Sequence, residues 1–209
     1  MGRSENSRNR IFTVTEDGIR TQAHNPFKMT DPSLIIYHPV RVFQGKTIVT
    51  NGDQTDTIRD ALAEGKSFRD ALYTREFEPD APNYTPRVSG LLHTDGAYEF
   101  SILKSMDGCP DCCCRYFFDY SHPQAGTGHL IHTYKCDGSP IPSFEGEPKR
   151  IAVNAPDAKS LAELLWNSLN ADNKVSLFVR YLELSSGRTD DIILNKNKPL
   201  PKISAVRSA

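Results

Sequence analysis

The shortness of the connections between strand-like runs constrains this chain most. Residues 11–14 and 19–23 are separated only by Thr15-Glu16-Asp17-Gly18, and an Asp-Gly pair suits a tight turn. Residues 34–43 and 46–50 are separated only by Gln44-Gly45. A parallel crossover needs a dozen residues or more, so these neighbours must be antiparallel. Pro39 inside one run marks an edge or a bulge, because proline donates nothing to a ladder.

Helical patterns are fewer. Asp53 or Thr55 can cap a segment carrying Ile58, Ala61 and Leu62 on one face, stopped at Gly65. Ser67 with Asp70 three residues on reads as a capping box for a second helix with Phe68, Ala71 and Leu72. Residues 157–169 make the strongest helix, with Asp157 as its cap and Leu161, Leu164, Leu165 and Leu169 as an apolar face predicted to be buried. Further strands are predicted at 88–93, 98–104, 115–120, 129–135 and 175–184, with loops at 122–128 and 137–148. Strands in hairpins outnumbering helices predict an α+β fold with a largely antiparallel sheet. The 209 residues suit a single domain over 1–209, with 196–209 a loose tail rich in Lys, Asn and Pro.

Lys plus Arg number 25 and Asp plus Glu 26, a net charge of −1 that gives no electrostatic case for a nucleic-acid or membrane partner. No run of 18 apolar residues exists, and the first residues lack the apolar core of a secretion signal, so a cytoplasmic, reducing location is expected. Four of the five cysteines fall in Cys109-Pro110-Asp111-Cys112-Cys113-Cys114. A disulfide framework is disfavoured in a reducing compartment, and the sequence leaves the oxidation state open. A metal is disfavoured too. His129 and His132 are closer together than finger spacing, and on a strand they point to opposite faces; His122 lies in a loop. A turn leading into a partly buried strand is the preferred reading.

Three segments carry more chemistry than connectors need. Thr50-Asn51-Gly52-Asp53-Gln54-Thr55-Asp56 joins a strand to a helix start, where free N–H groups can meet an anion. Residues 78–87 hold three prolines with two carboxylates, an amide, a phenol, a hydroxyl and a guanidinium. The front of the chain offers Arg3, Arg8 and Arg10, forks that suit phosphate, although a solvated tail is the ordinary reading of such a segment.

The string Asn51-Gly52-Asp53-Gln54-Thr55-Asp56-Thr57-Ile58, with Glu78-Pro79-Asp80-Ala81-Pro82-Asn83-Tyr84-Thr85-Pro86-Arg87, resembles the archaeal-type IMP cyclohydrolase family. Ser7-Arg8-Asn9-Arg10 and Tyr37-His38-Pro39-Val40-Arg41-Val42 resemble that family's early motifs. Gly126-Thr127-Gly128-His129 and Phe144-Glu145-Gly146-Glu147-Pro148 resemble its bacterial branch. The resemblance extends over nearly the whole chain. It implies an N-terminal-nucleophile hydrolase fold, a four-layer αββα sandwich without a self-processed nucleophile. The implied activity closes 5-formamidoimidazole-4-carboxamide ribonucleotide (FAICAR) to inosine monophosphate (IMP) and water.

That reaction needs a nucleotide substrate and no metal or redox cofactor; a homo-oligomer stays open. The matching positions imply Arg10, Tyr37 and Glu78 as catalytic residues. Arg10 would stabilise charge on formyl oxygen or phosphate, Tyr37 would donate its phenolic proton, made more acidic by a neighbouring guanidinium, and Glu78 would orient or deprotonate the carboxamide. Asn51, Asp53, Asn83 and Arg87 are implied contacts for ribose, base or phosphate. Family members usually carry a hairpin ahead of the Arg3–Arg10 motif, which this chain begins almost inside, so a strand lacking its partner is expected to expose an edge. Two alternatives stand beside the enzyme: a purine-nucleotide-binding protein of the same fold without catalysis, and an amidohydrolase, disfavoured because Met1 and Gly2 offer no nucleophile.

Overall fold

The computed structural model describes residues 1–198; most of the tail expected over 196–209 lies outside the described residues. Seven antiparallel strands form a meander in which each strand neighbours the next in sequence: β1 (Arg10–Thr15), β2 (Gly18–Ala23), β3 (Val40–Phe43), β4 (Lys46–Thr50), β5 (Arg87–Leu92), β6 (Tyr98–Ser105) and β7 (Cys113–Tyr120). Both short connections act as tight hairpin turns. Thr15 faces Gly18 across the first. In the second, Gln44 and Gly45 both adopt positive φ, 48° and 77°, as a two-residue turn matched to strand twist requires.

Helices α2 (Gln54–Ala63) and α3 (Phe68–Tyr73) cover one face of this sheet. Their Ile58, Ala61, Phe68, Ala71 and Leu72 close over Ile48, Leu91 and Leu103 to form the main core. Each large aliphatic or aromatic side chain buried there is worth about 1.5–3 kcal/mol. The Ser67–Asp70 capping box starts α3 as the sequence predicts, each side chain bonding the other's backbone N–H. Helix α2 differs. Asp53 occupies its N-cap without a capping bond, because the carboxylate is drawn to two arginines described below.

A second unit follows: a small hairpin β8 (Thr127–Leu130) and β9 (Lys149–Ala152), helix α4 (Ala158–Ser168), and the hairpin β10 (Ser176–Leu182) and β11 (Thr189–Asn195). The last hairpin lies against the large sheet. Asn195 accepts a bond from the Phe12 N–H at 2.8 Å and donates to the Phe12 carbonyl at 3.0 Å, satisfying backbone groups on the outer edge of β1. Arg180 donates to the Thr47 hydroxyl at 3.0 Å.

Several expectations are corrected. The strand expected over 34–43 shrinks to β3, since Pro39 offers no ladder donor and Thr21 takes over the segment before it. The Thr21 hydroxyl bonds the carbonyls of Ile35 and Tyr37 and accepts from the Tyr37 N–H at 2.8 Å. The strand expected over 129–135 ends at Leu130, and β9 and β11 had no clear signal. In α4 the alanines are buried, while Leu164 is 61% and Leu165 38% exposed. A two-stranded partner is about one strand spacing wide, too narrow to cover both flanks of a leucine stripe. The amino-terminal segment is no solvated tail: the Gly2 N–H donates to the Asn173 carbonyl at 2.8 Å, and Arg8 bonds both the Gly2 carbonyl and Asn173. Residues 5–8 form a short helix, α1 (Glu5–Arg8), with a Ser4–Ser7 capping box. Among the described residues no helix is long and apolar enough to cross a membrane.

Candidate active site

Strand starts and strand ends meet at one end of the sheet. Arg10 opens β1, Tyr37 lies three residues before the start of β3, residues 51–53 link β4 to α2, and Arg87 opens β5. The Thr21 bonds to the Tyr37 backbone fix where its phenol begins. The Arg10 guanidinium lies 5.8 Å from the centre of the Tyr37 ring. Burial pushes the Tyr37 pKa up and outweighs the opposing charge of Arg10, with Glu78 pushing the same way as burial. The guanidinium does act in the expected direction, but desolvation of a phenolate costs more than the neighbouring cation returns, so the net shift is upward.

Glu78 is buried, and its carboxyl is raised from 4.5 to about 7. Burial is the main cause. Arg87 opposes it, Asp80 and Asp53 add to it, and Arg10 again opposes. The Glu78 backbone is held by its N–H donating to the Thr85 carbonyl at 2.9 Å. Arg10, Tyr37 and Glu78, on three separate elements, thus share one electrostatic neighbourhood.

Arg87 is almost wholly buried and surrounded by acceptors. Its Nη1 lies 2.6 Å from Asp53 Oδ1, 2.8 Å from Gln54 Oε1 and 3.9 Å from Glu78 Oε1. Gly52 makes this approach feasible: a Cβ there would sit 2.5 Å from Arg87 Nη1 and 2.6 Å from Gln54 Oε1. Asp53 is bidentate to Arg75 at 2.7 Å, and the two guanidiniums hold its carboxyl below the usual range despite burial. The residue at the start of α2 is therefore itself acidic, with its carboxylate turned toward the two arginines.

Asn51 is similarly engaged. Its Oδ1 accepts from the Val88 N–H at 2.9 Å and from Gln54 at 3.1 Å, and its Nδ2 donates to the Pro86 carbonyl and the Thr133 hydroxyl. Asn83 lies in the proline-rich loop, its Oδ1 accepting from the Ile141 N–H at 3.2 Å. Of the front arginines, Arg8 is tied into structure. Arg3 lies 5.9 Å from the Tyr134 ring centre and pairs with the exposed Asp137.

Tyr134 escapes a reading of the sequence. Its hydroxyl is 2.7 Å from the Thr85 hydroxyl, which in turn bonds Asp80, and Glu78 and Asp80 help burial to raise its pKa. Thr85, Asp80 and Gln54 fall within the motif strings. Tyr134 lies 49 residues from its partner in a stretch that reads as plain strand, so local pattern carries no trace of it. His129 and His132 stay apart: the first is 2.6 Å from the Tyr98 hydroxyl, the second 2.6 Å from the Tyr134 carbonyl. Among the described residues no group of three or more His, Cys, Asp or Glu is gathered to hold a metal ion.

A family model described as "IMP cyclohydrolase-like protein" matches residues 1–187. Among curated relatives, the chain is similar to the IMP cyclohydrolase of Methanosphaera stadtmanae, 26% identical over 137 residues, covering 64% of this chain and 58% of that protein. It is 29% identical over 160 residues to the Methanopyrus kandleri IMP cyclohydrolase, covering 65% of this chain and 75% of that protein. It is 34% identical over 95 residues to the one from Methanococcus maripaludis, covering 43% and 47%. The match thus spans less than two thirds of the Methanosphaera protein.

Proposed function

The chain belongs to the IMP cyclohydrolase-like family, and from that premise we propose that it closes FAICAR to IMP with loss of water, using Arg10, Tyr37 and Glu78. The observation that carries this reading is the convergence of a phenol held in its protonated form, a guanidinium and a carboxyl poised near neutral pH.

The chemistry is intramolecular. The carboxamide nitrogen attacks the formyl carbon, a tetrahedral adduct forms, and the former formyl oxygen leaves as water. Because both arms belong to one molecule, holding them coplanar contributes several kcal/mol. Tyr37 keeps its proton and donates a hydrogen bond to the formyl oxygen as charge develops there; one such donor is worth about 3 kcal/mol. Arg10 stabilises the same oxygen. Glu78, with a pKa near 7, is partly ionised at neutral pH and accepts the proton the nitrogen loses. Arg87 works at one remove, setting how readily Glu78 ionises.

The substrate phosphate is assigned to arginine rather than to the start of α2, where Asp53 would repel it. Arg3, whose one ion pair among the described residues is with the exposed Asp137, can turn toward it. Asn51 and Asp53 serve this site by building its wall, and Asn83 by bracing the 78–87 loop. The αββα layering belongs to the same reading: α2 and α3 cover one face of the large sheet, and the β10–β11 hairpin backed by α4 supports a second sheet layer.

The test is direct. The purified chain, given FAICAR, produces IMP, followed by absorbance, and binds IMP more tightly than inosine. Nucleotide binding without turnover would replace the enzyme by the binding protein. Equal affinity for inosine and IMP would remove the arginine–phosphate contact.

A further inference from the structure

The turn between β6 and β7 carries a thiol pair outside the site just described. Cys109 and Cys112 flank a tight turn over Pro110–Asp111, with Cys112 exposed and Cys109 partly so. The first and fourth residues of such a turn have Cα atoms less than about 7 Å apart, which overlaps the roughly 4.4–6.8 Å that a disulfide spans. Both cysteines are anchored to Met106, and Cys109 to Ser105 as well. The Cys109 N–H donates to the Met106 carbonyl at 2.8 Å, the Ser105 hydroxyl donates to the Cys109 carbonyl at 2.8 Å, and the Met106 N–H donates to the Cys112 carbonyl at 2.9 Å. The two side chains are close enough to affect one another: the neighbouring Cys109 pushes the Cys112 thiol pKa up.

The other thiols are placed differently. Cys113 packs against the main core under α2 and α3, and Cys114 lies on β7 two residues before Tyr116, on the same face of the strand. A third cysteine, histidine or carboxylate that would make the pair a metal site is absent among the described residues.

We propose that Cys109 and Cys112 form a thiol–disulfide exchange site that reacts with small disulfides to close an intramolecular disulfide across the β6–β7 turn. One thiol loses its proton and attacks a sulfur of the small disulfide, expelling one thiolate and leaving a mixed disulfide. The second thiol, deprotonated, attacks the protein sulfur of that intermediate and expels the other thiolate. Two S–H bonds are lost and one S–S bond is gained. The two electrons reduce the small disulfide to two thiols, which take up the two protons.

Oxidised glutathione is the probe. The reduced full chain is exposed to it, quenched with an alkylating agent and mapped by peptide mass. The peptide containing residues 109–112 is expected to lose both alkylation sites, to be lighter by two hydrogens with no glutathione attached, and to recover both thiols with dithiothreitol. Cys112→Ser is expected to stop the reaction at the intermediate, with glutathione retained on Cys109. Unchanged alkylation of both residues, a glutathione adduct that persists on the unsubstituted pair, or a crosslink between two chains would each overturn the assignment.

Discussion

The 51–56 turn and the Arg10–Tyr37–Glu78 cluster draw on the same polar side-chain chemistry, and the protein treats them in opposite ways. In the turn nearly every polar atom has an internal partner: Asn51 makes four bonds, Asp53 holds two arginines, and the Thr50 and Thr55 hydroxyls are 2.5 Å apart over the Gly52 carbonyl. In the cluster, burial leaves an acid and a phenol with displaced protonation equilibria and few fixed partners. A polar residue in a loop is thus no sign of a ligand contact by itself. Under the proposed function, satisfied groups shape the wall, while the buried phenol of Tyr37 and the carboxyl of Glu78, raised toward neutrality, do the chemistry.

The largest effect that would break this contrast is on turnover. Tyr37→Phe removes one hydroxyl and little volume; it is expected to lower FAICAR turnover by roughly 100-fold with substrate affinity and circular dichroism nearly unchanged. Arg10→Lys, which keeps charge and loses the fork, is expected to fall substantially as well. Wild-type rates in both would move the chemistry elsewhere.

Asn51→Leu is expected to act on stability instead. It leaves the Val88 N–H and the Pro86 carbonyl without partners, a cost of about 2–3 kcal/mol in urea unfolding. Turnover per folded molecule should fall far less than for Tyr37→Phe, and the reverse pattern would make Asn51 a substrate contact. Gly52→Ala comes next: its methyl group meets Arg87 and Gln54, and about 1–3 kcal/mol of overpacking is expected, read as a lower melting temperature.

The smallest effect is the most discriminating. Asp53→Asn removes a carboxylate that raises the Glu78 pKa and frees Arg87 to lower it. The midpoint of the pH–rate profile should move to lower pH. A midpoint that moves up would mean that Asp53 acts on Glu78 through something other than charge.

Much of the scaffold was legible because its signals are local. Asp17-Gly18 and Gln44-Gly45 state their turns, and Ser67 with Asp70 states the start of α3. Tyr37 was legible as a residue but not as a conformation: Thr21 on another strand meets its backbone with both its hydroxyl and its own N–H. Asp53 looked like a cap because its spacing suits one, yet Arg75 and Arg87 compete for the same carboxylate from 22 and 34 positions further along the chain. Tyr134 and the exposed leucines of α4 share that cause, since partner and cover are set by tertiary contacts that no window of sequence contains.

The pH dependence of FAICAR turnover tests the central claim most directly. The Glu78 carboxyl titrates near 7 in the folded chain against an ordinary 4.5. Because the folded value is the higher one, Glu78's contribution to stability is full below the ordinary value and is lost as pH rises through about 7. Ionisation of the same carboxyl switches the base on. The rate is therefore expected to rise through a midpoint near 7, within about a unit, while Glu78's contribution to folding stability declines from about 4.5 up to about 7, and Glu78→Gln should remove both. A rate that is flat through neutrality, or a rise that survives Glu78→Gln, would contradict the account.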